Sequence, residues 1–95
     1  MYPGQVTRLT ERVGVSAATI VADADVLILS GATGIENITK LAPIGDQILF
    51  IIPITGSLVL GVTGNIAVAQ TLIVNKVSML IYSNNTLKWY PHALA

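Results

Sequence analysis

The sequence predicts an all-β protein of short strands, and three observations carry that prediction. Roughly a third of the chain is Val, Ile or Thr, types whose branched Cβ is stiff in a helix and suits a pleated surface. These residues come in short runs, each closed by Gly, Pro or Asn, at the spacing of about 8–12 residues expected of a sandwich, a barrel or a solenoid. Only residues 4–18 make a competing helical claim, with Val6, Leu9 and Val13 at helical spacing.

That N-terminal claim is weak. Thr7 is followed three residues later by Thr10 rather than by the Glu or Gln of a capping box, and Gly14 ends the pattern. A helix of that length is marginal in water. Residues 1–17 are therefore expected to form an extended arm with at most one helical turn. Strands follow over Ala18–Ala22 and Asp25–Ser30, the second ended by Gly31-Ala32-Thr33-Gly34. Ile35–Leu41 alternates in polarity, and Gly45 opens Gln47–Ile52, which Pro53 weakens. Ser57–Val62, Asn65–Ala69, Leu72–Val74, Ser78–Tyr82 and Thr86–Tyr90 complete a β domain over 18–90, with 91–95 as a tail.

Charged residues make up 11% of the chain, hydrophobic residues 53%, and the formal net charge is +0. Without excess positive charge, no nucleic-acid partner is expected, and the high hydrophobic share excludes disorder. Cys 0 removes disulfides and thiolate metal sites, and no cofactor is expected. The charge-free run from Gln47 to Asn75 is long enough to span a bilayer. It is interrupted by Pro53, Gly56, Gly61 and Gly64 and lacks flanking basic clusters and aromatic belts, so strands and turns describe it better than a membrane helix. Met1-Tyr2-Pro3-Gly4-Gln5 does not read as a signal peptide.

The strands carry large apolar residues on both faces, as in Leu49-Phe50-Ile51-Ile52 and Met79-Leu80-Ile81-Tyr82. A chain this small covers both faces of a sheet with difficulty, so identical copies are expected to supply the second cover. Leu49, Ile51, Leu58, Leu60, Ile66, Val68, Leu80, Tyr82, Trp89 and Tyr90 are the expected subunit-interface residues.

Residues with chemical potential are few. His92 is the lone imidazole and lies near the C-terminal end, with no nucleophile beside it in sequence. Asp23 and Asp25 would share one face of a strand but lack a third oxygen donor. The loops 31–34 and 61–64 lack the Gly-Lys-Ser/Thr of a phosphate-binding loop. Lys76 and Lys88 with Tyr82, Trp89 and Tyr90 could form a stacking platform for bases or sugars, the neutral charge leaving sugar, but the amphipathic rings of Trp89 and Tyr90 better suit a subunit interface. Nothing pairs a nucleophile with a base, so no catalytic residue and no enzymatic activity is expected.

From Ile35 to Tyr90 the chain resembles β-rich virion proteins of tailed bacteriophages. The shared elements are Ile35 and Ile38; Gly45; Ile48-Leu49-Phe50-Ile51; Leu58-Val59-Leu60; Gly64-Asn65-Ile66-Ala67-Val68; Met79-Leu80-Ile81-Tyr82; and Thr86-Leu87-Lys88-Trp89-Tyr90. The closing turn, commonly Asp-Gly in such proteins, is Ser83-Asn84-Asn85 here, and Asn tolerates the left-handed backbone of a tight hairpin. The resemblance implies an intertwined homotrimer, folded as a short-stranded sandwich, barrel or prism. It further implies a capsid-decoration (cement) or head-fibre protein on the capsid exterior, with the major capsid protein as its partner. The first thirty residues lie outside the pattern and suit an arm that docks on the shell through Tyr2, Arg8, Glu11 and Arg12. The alternative is a tail-fibre or spike domain that contacts host glycan.

Overall fold

The structure, a computed structural model, describes residues 9–41 and 45–92. Among the described residues it is all-β: β1 (Glu11–Val15), β2 (Thr19–Ala22), β3 (Val26–Ser30), β4 (Asn37–Lys40), β5 (Gln47–Pro53), β6 (Leu58–Leu60), β7 (Gln70–Leu72), β8 (Ser78–Ser83) and β9 (Lys88–Pro91). Eight of these fall on or beside predicted strands. The ninth, β1, lies within the stretch 1–17 read as an arm: residues 11–15 pair in parallel with β3. Residues 1–8, with Tyr2 and Arg8, lie outside the described residues.

The chain climbs in stacked coils. β1, β3 and β5 lie parallel, with Glu11 over Val26 and Val26 over Phe50, so the first coil takes fifteen residues and the second twenty-four. On a second wall β2 lies parallel to β4, with Ile20 over Ile38. On a third, Ile35 bridges Leu60 in parallel, and β6 pairs with β7. Of the architectures that the strand spacing allowed, this parallel stacking is that of a short solenoid. Among the described residues the sheets stay open, and no closed barrel forms.

The last two strands finish the sheet: β8 runs against the stack and β9 turns back along it. β8 pairs antiparallel with β5, and β9 with β8, giving a five-stranded sheet in the order β1-β3-β5-β8-β9. The loop between β8 and β9 closes with Leu87, not an Asn, in the left-handed region (φ 60). Asn84 instead donates its backbone N–H to Asp46. On its other edge β9 bridges the third coil: Trp89 N–H donates to the Asn65 carbonyl, and the Ala67 N–H donates to the Trp89 carbonyl.

Alternation along each strand separates two surfaces. The inner residues form one core: Ile20, Leu27, Leu29, Ile35, Ile38, Leu49, Ile51, Leu58, Leu60, Ile66, Leu72, Leu80, Tyr82 and Trp89 are all buried within the single chain. On the five-stranded sheet the outer residues are also largely apolar. β1 shows Val13 and Val15, β3 Val26 and Ile28, β5 Ile48, Phe50 and Ile52, β8 Met79 and Ile81, and β9 Tyr90. The registers set these side chains in rows, such as Glu11–Val26–Phe50–Met79 and Val13–Ile28–Ile52.

Side chains replace backbone where coils differ in length. The Asn65 amide pairs with Ile38 as a neighbouring strand would: its Oδ1 accepts from the Ile38 N–H at 2.8 Å and its Nδ2 donates to the Ile38 carbonyl at 2.7 Å. Gly64 permits that approach, because a Cβ there would lie 2.3 Å from the Glu36 carbonyl oxygen. Thr63 then donates its N–H and hydroxyl to the Glu36 carboxylate, which fixes the loop 61–64 as a structural turn.

Candidate assembly surface

The structure sorts the expected interface residues by face. Leu49, Ile51, Leu58, Leu60, Ile66, Leu80, Tyr82 and Trp89 lie in the chain's own core, at 6% exposure or less. This corrects the expectation that a second subunit covers them: the coils above and below, and the facing walls, already do. Val68 and Tyr90 are the two of the set that face outward, at 55% and 39% exposure. Val68 sits beyond the five-stranded sheet, between the third coil and β7.

Trp89 shows why its side chain is closed to ligands. Its indole Nε1 donates to the Ile38 carbonyl at 2.9 Å, and its ring meets Tyr82 edge-on at 5.3 Å. Lys40 lies over the other aromatic, with Nζ 4.6 Å from the Tyr82 ring centre. The aromatic residues that could have formed a sugar platform are thus core and corner packing, apart from Tyr90, whose hydroxyl donates to Thr86.

Among the residues expected to dock on a shell, Glu11 is exposed on the outer face of β1. Arg12 points the opposite way and has partners within the chain. Its register partner is the buried Leu27, and its guanidinium pairs with Asp23 and donates to the Val21 carbonyl. Arg12 therefore closes the open end of the first coil from β1 to β2. Gly14 makes room, since a Cβ there would stand 2.8 Å from Nη1 of Arg12 and 3.8 Å from Leu29.

Replacing Arg12 with Ala should destabilise the fold by about 1 kcal/mol, chiefly by removing its stem from the end of the core, with a smaller share from the exposed hydrogen bond to the Val21 carbonyl. The ion pair itself is well over a third exposed on both sides, so solvent screening leaves it little net worth. Thermal unfolding at low and high salt checks this: the Arg12→Ala penalty should persist in salt, whereas a penalty that vanishes would mean that the charge pair carries most of the effect.

The remaining candidates have structural partners. Asp25 accepts from the backbone N–H and hydroxyl of Thr10, so Asp23 and Asp25 each tie β1 to the turn before β3 rather than sharing a strand face. Ser16 donates its N–H to the Ser30 carbonyl, and its hydroxyl accepts from the Thr33 N–H. Gly31 N–H donates to Thr55, so the turns between coils stack on one another. The His92 N–H donates to the Met79 carbonyl and its Nδ1 accepts from the Met79 N–H, which extends the β8–β9 pairing. Among the described residues no cavity opens and no three metal-ligating side chains gather. Among them, too, no helix is long and apolar enough to cross a membrane.

What the arrangement offers is therefore a surface rather than a pocket: an apolar sheet face on a chain whose core is already filled. No protein-family model, no curated protein and no solved structure matches the chain.

Proposed function

We propose that the chain is a non-enzymatic structural protein of a tailed-phage virion, which decorates and stabilises the outside of the capsid as a homotrimer. The observation that carries the reading is the outward apolar face of the five-stranded sheet. A core complete within one chain leaves Ile48, Met79 and Ile81 exposed, with Phe50 half-buried among them, and a contiguous outward apolar face is a surface on which a partner packs. The strand pattern from Ile35 to Tyr90 supports the virion context. A protein that binds only the assembled shell stabilises it by mass action, and three linked copies multiply the effect if all reach their sites together.

The shell-binding residues on this reading are Tyr2, Arg8 and Glu11, at and before the first strand. Localisation of a tagged chain on intact virions by cryo-electron microscopy tests the reading. Density on the outer capsid surface is expected, weakened at least tenfold in occupancy by a Tyr2→Ala, Arg8→Ala double variant. Density confined to the tail, or absent from virions, contradicts it. The glycan-binding alternative loses its main contact, because Trp89 is sealed in the core.

A further inference from the structure

We infer that the outward face of the five-stranded sheet is where copies of this chain meet, with the β1 margin of one copy laid on the β9 margin of the next. The inference rests on the self-association proposed above and assigns it a surface and an orientation.

Extent is the first argument. Strands about 4.8 Å apart, with outward residues about 6.7 Å apart along each, make the face a patch of roughly 450 Å². Two copies laid face to face would bury roughly 900 Å², the size of a small interface of the weak class. Among the described residues nothing covers it.

The distribution of residue types is the second. The strand order places β5 in the middle, and β5 carries the large apolar set Ile48, Phe50 and Ile52. Within the five strands, the charged side chains that face outward are Glu11 on β1 and Lys88 on β9, the two margins. An apolar centre with a polar rim is the anatomy of an interface. The outer apolar residues of the β6–β7 wall show no such grading: Val59 stands opposite Thr71.

The signs of the rim charges choose the orientation. Laying β1 on β1 gathers like charge on each seam, whereas laying β1 on β9 puts one Glu11 and one Lys88 on every seam, Glu11 level with Phe50 and Lys88 level with Ser83, just beyond Gln47. This arrangement closes into a ring about an axis along the strands. For three copies, faces about 24 Å wide would stand roughly 7 Å from the axis, against the roughly 5 Å each sheet contributes in face-to-face packing. Phe50, on the middle strand and half-buried, is the side chain long enough to fill the difference.

The test uses the full chain and native mass spectrometry at micromolar concentration. Phe50→Lys should convert the assembly to folded monomer, with the circular dichroism of the parent, while Val59→Lys should leave it assembled. A Phe50→Lys protein that stays assembled, or a Val59→Lys protein that falls apart, overturns the assigned face while leaving self-association standing; a parent that is itself monomeric removes the underlying reading instead. Should Phe50→Lys fail to fold, Ile48→Cys labelling decides the matter, since the chain has Cys 0. Ile48 and Val59 are equally exposed in the single chain, at 52% and 54%, so a thiol at 48 should react with maleimide at least tenfold more slowly than one at 59, and equal rates would count against the face. Orientation is read from Glu11→Cys and Tyr90→Cys with a short bis-maleimide. The double variant should cross-link between chains and neither single variant should; cross-linking of Glu11→Cys alone would mean that β1 lies on β1.

Discussion

Trp89→Ala is expected to cost about 3–5 kcal/mol, the range for emptying an aromatic site in a packed core. A domain of this size has a net stability on the order of 5–10 kcal/mol, so the variant should melt more than about 12 °C lower and sit near the edge of folding. The site explains the size of the effect. Trp89 is fully buried, packs edge-on against Tyr82, and reaches through Nε1 to the carbonyl of Ile38 in the second coil. Its backbone also joins β9 to Asn65 and Ala67 of the third coil. Trp89→Phe should cost less than half as much, because a ring still fills the space and the Ile38 carbonyl keeps its bond from Asn65. Chemical denaturation monitored by circular dichroism checks both; equal penalties for Ala and Phe would make the indole hydrogen bond, rather than the volume, the source of the effect.

Asn65→Ala should follow closely, at about 2–4 kcal/mol. The substitution removes two hydrogen bonds to Ile38 and leaves the Ile38 N–H without a partner beside a buried side chain, and an orphaned buried donor costs about 1–3 kcal/mol by itself. Hydrogen exchange gives the sharpest readout. The Ile38 amide should lose protection in the variant far more than the amides of β8, which keep their partners in β5 and β9. A uniform loss across both regions would mean that Asn65 acts on global stability alone.

Much of the fold is legible in the sequence because strand punctuation is local. Gly31 after Ser30, Gly45 ahead of Gln47 and Ser83-Asn84-Asn85 between the last two strands all sit where chain direction changes. The stretch 11–15 is harder to read. Val13 and Val15 alternate with Arg12 and Gly14, and that pattern makes sense only once Arg12 is known to fold inward over Gly14 and reach Asp23. An inward Arg at the end of a stack looks, in sequence, like a surface charge.

The assignment of faces is not legible, and the reason is physical. Leu49, Ile51, Phe50 and Ile52 lie on one strand with apolar residues on both sides, and periodicity does not say which side a partner will cover. The chain resolves it by stacking: Leu27 and Leu29 sit above Ile51 and Pro53 in the same inner row. That neighbour relation spans twenty-four residues, while the preceding coil spans fifteen, so no constant period marks the repeat. The inner set forms the core and the outer set the surface, the reverse of what an oligomer built around Leu49 and Ile51 requires. The low charge that first suggested association survives this correction, because the outer residues of β3, β5 and β8 are apolar as well.

The most direct measurement of the central claim is the mass of the unmodified full chain in solution at low micromolar concentration, by sedimentation equilibrium. Self-association through the outward sheet predicts a trimer of about 30 kDa, three times the 10.0 kDa chain. A single species at 10.0 kDa, stable and soluble with its aliphatic sheet bare to water, would contradict it.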